Sequence, residues 1–397
     1  MNDPRRLYLD NAATTFPKPE AVYRAMDRYN RQVGASAGRG AYAEAIEAGQ
    51  ILDSCRNRLR RLLGVEDAAR IVFTLNATDA LNLALKGVLR PGDHVVTTWM
   101  DHNSVLRPLR ALEERGLITV TRVRASGEGL VDPDDVERAL SAKTRLVAVV
   151  HASNVTGSLQ PIERLAELAH GAGALCLVDG AQTVGARPVL PFELGIDLLA
   201  FPGHKALMGP LGTGGLYIRP GLDLATVREG GTGSRSEDDR QPGELPDRHE
   251  AGSHNLPGLA GLDAAVGVLL ERGLERVQAH KLELTRAFLE GARSVAGLTV
   301  HGPARAEDRE PVFSVRMEGF EPEELSATLD RNFGLMTRSG LHCAPLAHRT
   351  ISTLPFGSTR ISFGALNSIE HVEAAVSALA SISRSRRHTT EWASHEG

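Results

Sequence analysis

The chain has 397 residues, 42% of them hydrophobic and 4% aromatic, with a formal net charge of -4. That length can bury a large core and divide into two or three domains, while the absence of a strong charge excess argues against a general nucleic-acid binder, whose footprint is a basic face. No apolar run approaches the roughly 18 to 20 residues that cross a bilayer, and Met1–Arg6 lacks an apolar signal core, so the expected location is the cytoplasm.

In chain order, a helical stretch over residues 43–63 comes first, with Arg56, Arg58, Arg60 and Arg61 as its solvated side. Seven short apolar runs follow: Ile71–Phe73, His94–Thr98, Leu117–Val123, Leu146–His151, Ala174–Val178, Leu198–Phe201 and Gly215–Ile218. Each reads as a buried strand. Between them Ala80–Val88, Val105–Arg115, Pro133–Leu140 and Ile162–His170 carry helical periodicity. Strand and helix in alternation predict an α/β fold with a mostly parallel seven-stranded sheet, and the 40 glycines fit its many tight turns.

From Glu229 to Asn255 the chain is rich in Gly, Ser, Asp and Pro and reads as a long irregular loop between two domains. Helices at Leu259–Glu275, Glu283–Val295 and Pro322–Asn332, with strands at Leu298–Val300, Val312–Val315 and Thr359–Phe363, then predict a smaller α+β domain. The expected organisation is an N-terminal segment, 1–20, contributing to the active site; a large domain, 21–255; a small C-terminal domain, 256–382; and a disordered basic tail, 383–397.

Ligands of parallel sheets gather at the carboxyl ends of strands. Thr78, His102, Asn154, Asp179 and Lys205 each end or closely follow an apolar run, so one fold assumption gathers them on one edge. Asp179 closes one strand and Lys205 lies in the turn after the next, Ala200-Phe201-Pro202-Gly203-His204-Lys205-Ala206. A lysine amine can form a Schiff base with the aldehyde of pyridoxal 5'-phosphate, and a carboxylate can keep its pyridine nitrogen protonated. The two residues read equally well as a helix cap and a solvated loop lysine. Cys55, Cys176 and Cys343 are few and far apart, which fits reduced thiols, and Cys55 and Cys176 lie in apolar surroundings. His102, His151, His204, His342 and His348 have no metal-site spacing.

Five ordered motifs carry a family likeness: Leu9-Asp10-Asn11-Ala12-Ala13-Thr14-Thr15, Thr98-Trp99-Met100-Asp101-His102-Asn103-Ser104, Asp179-Gly180-Ala181-Gln182, Gly203-His204-Lys205 and Arg338-Ser339-Gly340-Leu341-His342-Cys343-Ala344. Together they resemble the cysteine desulfurases of the class V aminotransferase fold, over about residues 7–380, and the last resembles the second group, which includes selenocysteine lyases. The resemblance implies a fold-type I homodimer dependent on pyridoxal phosphate. It would convert L-cysteine to L-alanine and hold the sulfur as a persulfide on Cys343 for a protein acceptor. Lys205, Cys343 and His102 would be catalytic, His102 also stacking on the pyridine ring. Asp179 would pair with the ring nitrogen and Gln182 with the phenolic oxygen. Ala77, Thr78 and His204 would hold the phosphate, with Thr232 of the other subunit. Arg360, with Arg338 and Asn154, would clamp the substrate carboxylate, Asn154 also facing the cofactor. His342 could favour the Cys343 thiolate.

Three departures bear on specificity: Leu341 replaces a histidine common in the second group, Ala77 takes a place often held by threonine, and Pro345-Leu346-Ala347-His348 extends the cysteine segment. Two alternatives stay open. One is another enzyme with the same cofactor: a selenocysteine lyase, carbon–sulfur lyase, epimerase or aminotransferase. The other is a non-catalytic dimeric partner in sulfur transfer.

Overall fold

The computed structural model describes residues 6–38, 40–235 and 237–395. Its elements in chain order are β1 Leu7–Tyr8, α1 Glu20–Arg28, α2 Ala43–Leu62, β2 Ile71–Thr74, α3 Ala77–Val88, β3 His94–Thr98, α4 Asn103–Glu114, β4 Thr119–Val123, α5 Pro133–Ala139, β5 Thr144–Val150, α6 Ile162–Gly171, β6 Leu175–Asp179, β7 Leu198–Pro202 and β8 Gly214–Ile218. There follow α7 Leu256–Arg272, α8 Leu274–Arg293, β9 Leu298–His301, β10 Val312–Met317, α9 Pro322–Phe333, β11 Leu335–Met336, β12 Arg338–Gly340, α10 Pro345–Thr350, β13 Ser358–Ser362 and α11 Ile369–His395.

Seven strands form the large sheet in the order β2-β8-β7-β6-β5-β3-β4, all parallel except β8, which runs against both neighbours. Alternate residues of one strand feed different cores. On β6, Cys176 and Val178 join Phe73, Leu199 and Phe201 on one face, while Leu175 and Leu177 join Val72, Leu81, Leu85 and Leu109 on the other. Burial on both faces explains the almost unbroken apolar runs in the sequence.

The smaller sheet, β12-β13-β10-β9, carries a separate core built on Leu284, Phe288, Phe313, Leu329, Ile361, Phe363 and Leu379. The expected boundary after residue 255 moves. Helix α7 places Leu259, Leu262, Val266 and Leu269 in the large-sheet core with Leu59 and Leu62 of α2, and α8 passes from that core at Val277 to the smaller one at Leu284 and Phe288. The spacing of those leucines is one helical stripe, which buries itself on the nearest apolar layer. A second correction concerns the tail. No glycine or proline falls between Ile369 and His395, and α11 continues to His395 through most of the stretch expected to be disordered; residues 396–397 lie outside the described residues.

Two connections hold the halves together. Strand β1 pairs in parallel with β11, bringing the N-terminal segment onto the smaller unit. The turn Ser153–Gly157, after β5, presses on β10: Gly157 has φ 75°, and a Cβ there would lie 2.4 Å from the Glu310 carbonyl oxygen. Only glycine fits so close an approach. Among the described residues no helix is long and apolar enough to cross a membrane.

Candidate active site

The turn after β7 is built to present Lys205. Gly203 N–H donates to Thr213 O at 2.8 Å and Met208 N–H to Lys205 O at 2.8 Å, which closes the turn. The N-terminal segment grips it from outside: Thr15 Oγ1 donates to Lys205 O at 2.8 Å and Thr14 Oγ1 to His204 O at 3.0 Å. Burial lowers the Lys205 amine to about 8, Asp179 opposes the shift, and Arg360 and Arg338 add to it. Asp179, at the end of β6 and almost fully buried, has its pKa raised by desolvation and held back by Lys205. Each side chain feels the other's charge, so the two lie close enough to interact. Neither is the helix cap or free surface lysine that the sequence also allowed.

His102 caps α4. Its Nδ1 accepts from Ser104 N–H at 3.1 Å and lies 2.7 Å from Ser104 Oγ, which lies 2.8 Å from Thr78 Oγ1. Burial and the nearby Lys205 charge lower His102 to about 4, so its ring is neutral at pH 7. Thr78 sits in the first turn of α3, where the Asn76 side chain takes the Asp79 N–H. The N–H groups of Ala77 and Thr78 have no acceptor among the described residues, and they form the positive end of the helix. His204 is lowered to about 4 by burial, and its Nδ1 is buried without a partner.

Arg360 lies on β13, 2% exposed, with Nη1 donating to Asn154 O at 3.0 Å and Nη2 to Asp10 Oδ1 at 2.6 Å. Its Nε is buried and unpartnered, as is Asn154 Oδ1. Asn154 Nδ2 in turn donates to His342 O at 2.7 Å, and Asn103 N–H to Cys343 O at 2.9 Å. The cysteine segment is therefore tied at consecutive carbonyls to the turn after β5 and the start of α4. His342 and Cys343 both take left-handed conformations, φ 49° and 59°, and Cys343 is exposed. Arg338 is exposed on β12, directly across from Arg360.

Three expectations change in detail. Gln182 is buried beside the site, but its Nε2 donates to Ala12 O at 3.0 Å, which leaves one amide hydrogen for any other acceptor. His342 turns inward against His348, ring centroids 5.3 Å apart, and burial pushes it well below its usual pKa, so it supplies no charge to the Cys343 thiol. Thr232 is not gathered with the rest. It lies beside Ser234 in a cleft shared with Tyr29, Arg56, Glu250 and His254. Cys55 and Cys176 are buried core thiols, both pushed up by desolvation.

The Aminotransferase class-V family model matches residues 7–375, and curated relatives match nearly the whole chain. A probable cysteine desulfurase of Methanothermobacter thermautotrophicus is 34% identical over 92% of each chain. The chain belongs to the cysteine desulfurase family, within the class-V aminotransferases. A probable cysteine desulfurase of Aeropyrum pernix is 35% identical over 96% of this chain and 95% of its own. Among solved structures, the apo cysteine desulfurase of Thermococcus onnurineus NA1 superposes with a TM-score of 0.89 at 32% identity, covering 96% of this chain and 95% of that one. The Escherichia coli cysteine desulfurase CsdA, in its S-sulfonic acid form, does so with 0.85 at 27%, covering 95% and 94%.

The family's cofactor can be tested against the residues present. A buried acid at a strand end, a desolvated lysine, two free helix N–H groups, and the unpartnered polar atoms of His204, Asn154 and Arg360 are the donors and acceptors that pyridoxal phosphate and an amino acid require, and they fit. Sequence reasoning missed four side chains of this desulfurase-family site. Asp10 was in view within the Leu9–Thr15 motif but had no role until its bond to Arg360 appeared. Ser104 links His102 to Thr78, and Lys18, lowered to about 8 by burial, donates to Thr15 O at 3.0 Å and adds a charge that bears on His204. Asp101 is fully buried and raised to about 6; one oxygen takes Thr97 and Thr98 donors, and Oδ1 has none. No spacing rule in the sequence singles these out.

Proposed function

We propose that the chain is a pyridoxal-phosphate-dependent cysteine desulfurase that converts L-cysteine to L-alanine and holds the sulfur as a persulfide on Cys343. The observation that carries this is the joint placement of Lys205 and Asp179 in one electrostatic field with Arg360, while the exposed Cys343 is hydrogen-bonded to Asn103, next in the chain to His102. Pyridoxal phosphate, when bound, supplies an aldehyde for the amine and an electron-accepting ring.

The chain's residues supply the rest. Asp179 holds a proton on the pyridine nitrogen, and burial keeps water from competing for it. Thr78, His204 and the Ala77 and Thr78 N–H groups would hold the phosphate, Gln182 would serve the phenolic oxygen with its remaining amide hydrogen, and the neutral His102 would lie against the ring. Arg360 binds the substrate carboxylate with Asn154 and Arg338, sharing its guanidinium with Asp10. Lys205 Nζ takes the α-proton. The Cys343 thiolate then attacks the substrate sulfur: an S–S bond forms, the carbon–sulfur bond breaks, its electron pair stays with the β-carbon, which takes a proton, and the proton held at Lys205 returns to the α-carbon to give alanine.

Thr232 belongs to this site only through a second copy of the chain, so the reading includes a homodimer, working in the cytoplasm. Purified holoenzyme given L-cysteine and dithiothreitol should release alanine and sulfide in equal amounts. Changing Cys343 to serine should remove nearly all of both; equal production by the two proteins would reject the persulfide route.

A further inference from the structure

Four exposed arginines lie on the elements that flank the cysteine segment or on side chains that touch those elements, and none has an acidic partner among the described residues: Arg107, Arg124, Arg338 and Arg349. Their neighbours are treated differently. Arg110 is bound by Glu114 at 2.7 Å and Arg122 by Glu113 at 2.8 Å. Asp10 is engaged by Arg360, and Asp101 is buried under threonine donors. The four charges are therefore left standing on a chain whose net charge is -4, and they are not the by-product of a basic protein.

Their positions follow from contacts already described. Arg107 lies one turn along α4 from Asn103, whose N–H holds the Cys343 carbonyl, and its charge bears on His102. Arg338 begins β12, the strand that leads into the cysteine, and its charge reaches Lys205. Arg349 lies on α10, directly after the cysteine, with its guanidinium 5.9 Å from the Trp99 ring centroid; Arg124 lies 4.8 Å from the same centroid. Trp99 comes three residues before His102, so both arginines meet on the turn that leads from β3 to His102. Leu354, 36% exposed, and Phe356, 59% exposed, lie on the same excursion of chain as Cys343.

Arginine and tryptophan beside exposed apolar residues are the composition of a protein interface, and unpaired guanidinium groups call for carboxylates. Resting on the persulfide reading, we propose that the sulfur leaves Cys343 for an acidic protein acceptor, whose carboxylates seat on Arg107, Arg124 and Arg349, and on Arg338 once alanine has left it, and bring a cysteine thiolate to the persulfide. That thiolate attacks the outer sulfur. A new S–S bond forms on the acceptor, the old one breaks, and its electron pair returns to Cys343 as thiolate, so no outside oxidant or reductant is consumed.

The test uses holoenzyme loaded with persulfide from L-cysteine and then desalted. It is mixed with a synthetic glutamate-glycine peptide carrying one cysteine, with matched peptides having serine or lysine for glutamate, and with mercaptosuccinate as a small anionic thiol; transferred sulfur is read by mass spectrometry. At about 50 mM salt the acidic peptide should react about tenfold faster than the serine peptide and faster than mercaptosuccinate, with the lysine peptide slowest; most of that advantage should vanish near 500 mM. The double variant Arg124→Gln/Arg349→Gln should lose most of the preference while forming alanine with dithiothreitol at the wild-type rate. Equal rates for the three peptides, an unchanged preference in the double variant, or a faster mercaptosuccinate reaction overturns the acidic protein acceptor while alanine formation stands. No alanine from L-cysteine with dithiothreitol overturns the desulfurase reading itself.

Discussion

The lowered pKa of Lys205 comes from its surroundings. An amine in water near pH 7 is almost wholly protonated, whereas one lowered to about 8 has a useful neutral fraction. Arg338 and Arg360 contribute to that lowering and Asp179 resists it, so removing a cation must raise the value. In cofactor-free protein, the rate of pyridoxal phosphate uptake should climb with pH and level off above about 8. In Arg338→Gln the same curve should move to higher pH; an unmoved midpoint would show that Arg338 does not act on the amine. At this scale the roles proposed for Asp179, Lys205 and Cys343 came from the residue types that the chemistry demands at motif positions. The sequence was silent on Lys18, Asp101 and Asp10, whose importance comes from burial and from partners far along the chain. His342 shows the converse: adjacency to Cys343 suggested a shared role, but its side chain points into the core.

Among elements, the decisive one is the excursion from Leu341 to Phe356 that holds Cys343 and α10. Its base is a neck where Gly357, φ 80°, passes so close to Gly340 that a Cβ on Gly357 would lie 2.1 Å from the Gly340 oxygen. Gly357→Ala should force the strands apart and displace the cysteine. Misplacing a nucleophile by about 1 Å can cost 10²-fold, so alanine formation should fall by about that factor while cofactor absorbance is retained. A wild-type rate would show that the neck does not position Cys343. The strands of the large sheet were readable because burial on both faces leaves them apolar. The two-residue strands β1 and β11 were not, since their pairing depends on a partner that no local pattern reveals. The 229–255 loop was read correctly as irregular, yet it does not mark the division between cores, because α7 after it still packs on α2.

For the whole molecule, a buried charge cluster links the two cores. Glu310, ahead of β10, is bound by Lys281 of α8 at 2.6 Å and by Arg187, after β6, at 2.7 Å. Desolvation opposes the charge, but the two cations win and hold Glu310 at about 2. Glu310→Gln leaves the buried Lys281 and the partly buried Arg187 without their anion and should cost about 3–5 kcal/mol, read from denaturant midpoints. A depressed acid stabilises fully above its unfolded pKa, so the gap between wild type and variant should hold above pH 4.5 and close as pH falls towards about 2. A gap that persisted at the acid end would contradict this assignment.

The pairing of β1 with β11 also sets an order of events during synthesis. Leu7 leaves the ribosome long before Leu335, so the segment that clasps the lysine turn has no strand partner until late in translation. A chain not yet synthesised past Leu335 thus lacks the finished clasp, and Cys343 joins the lysine turn only later still.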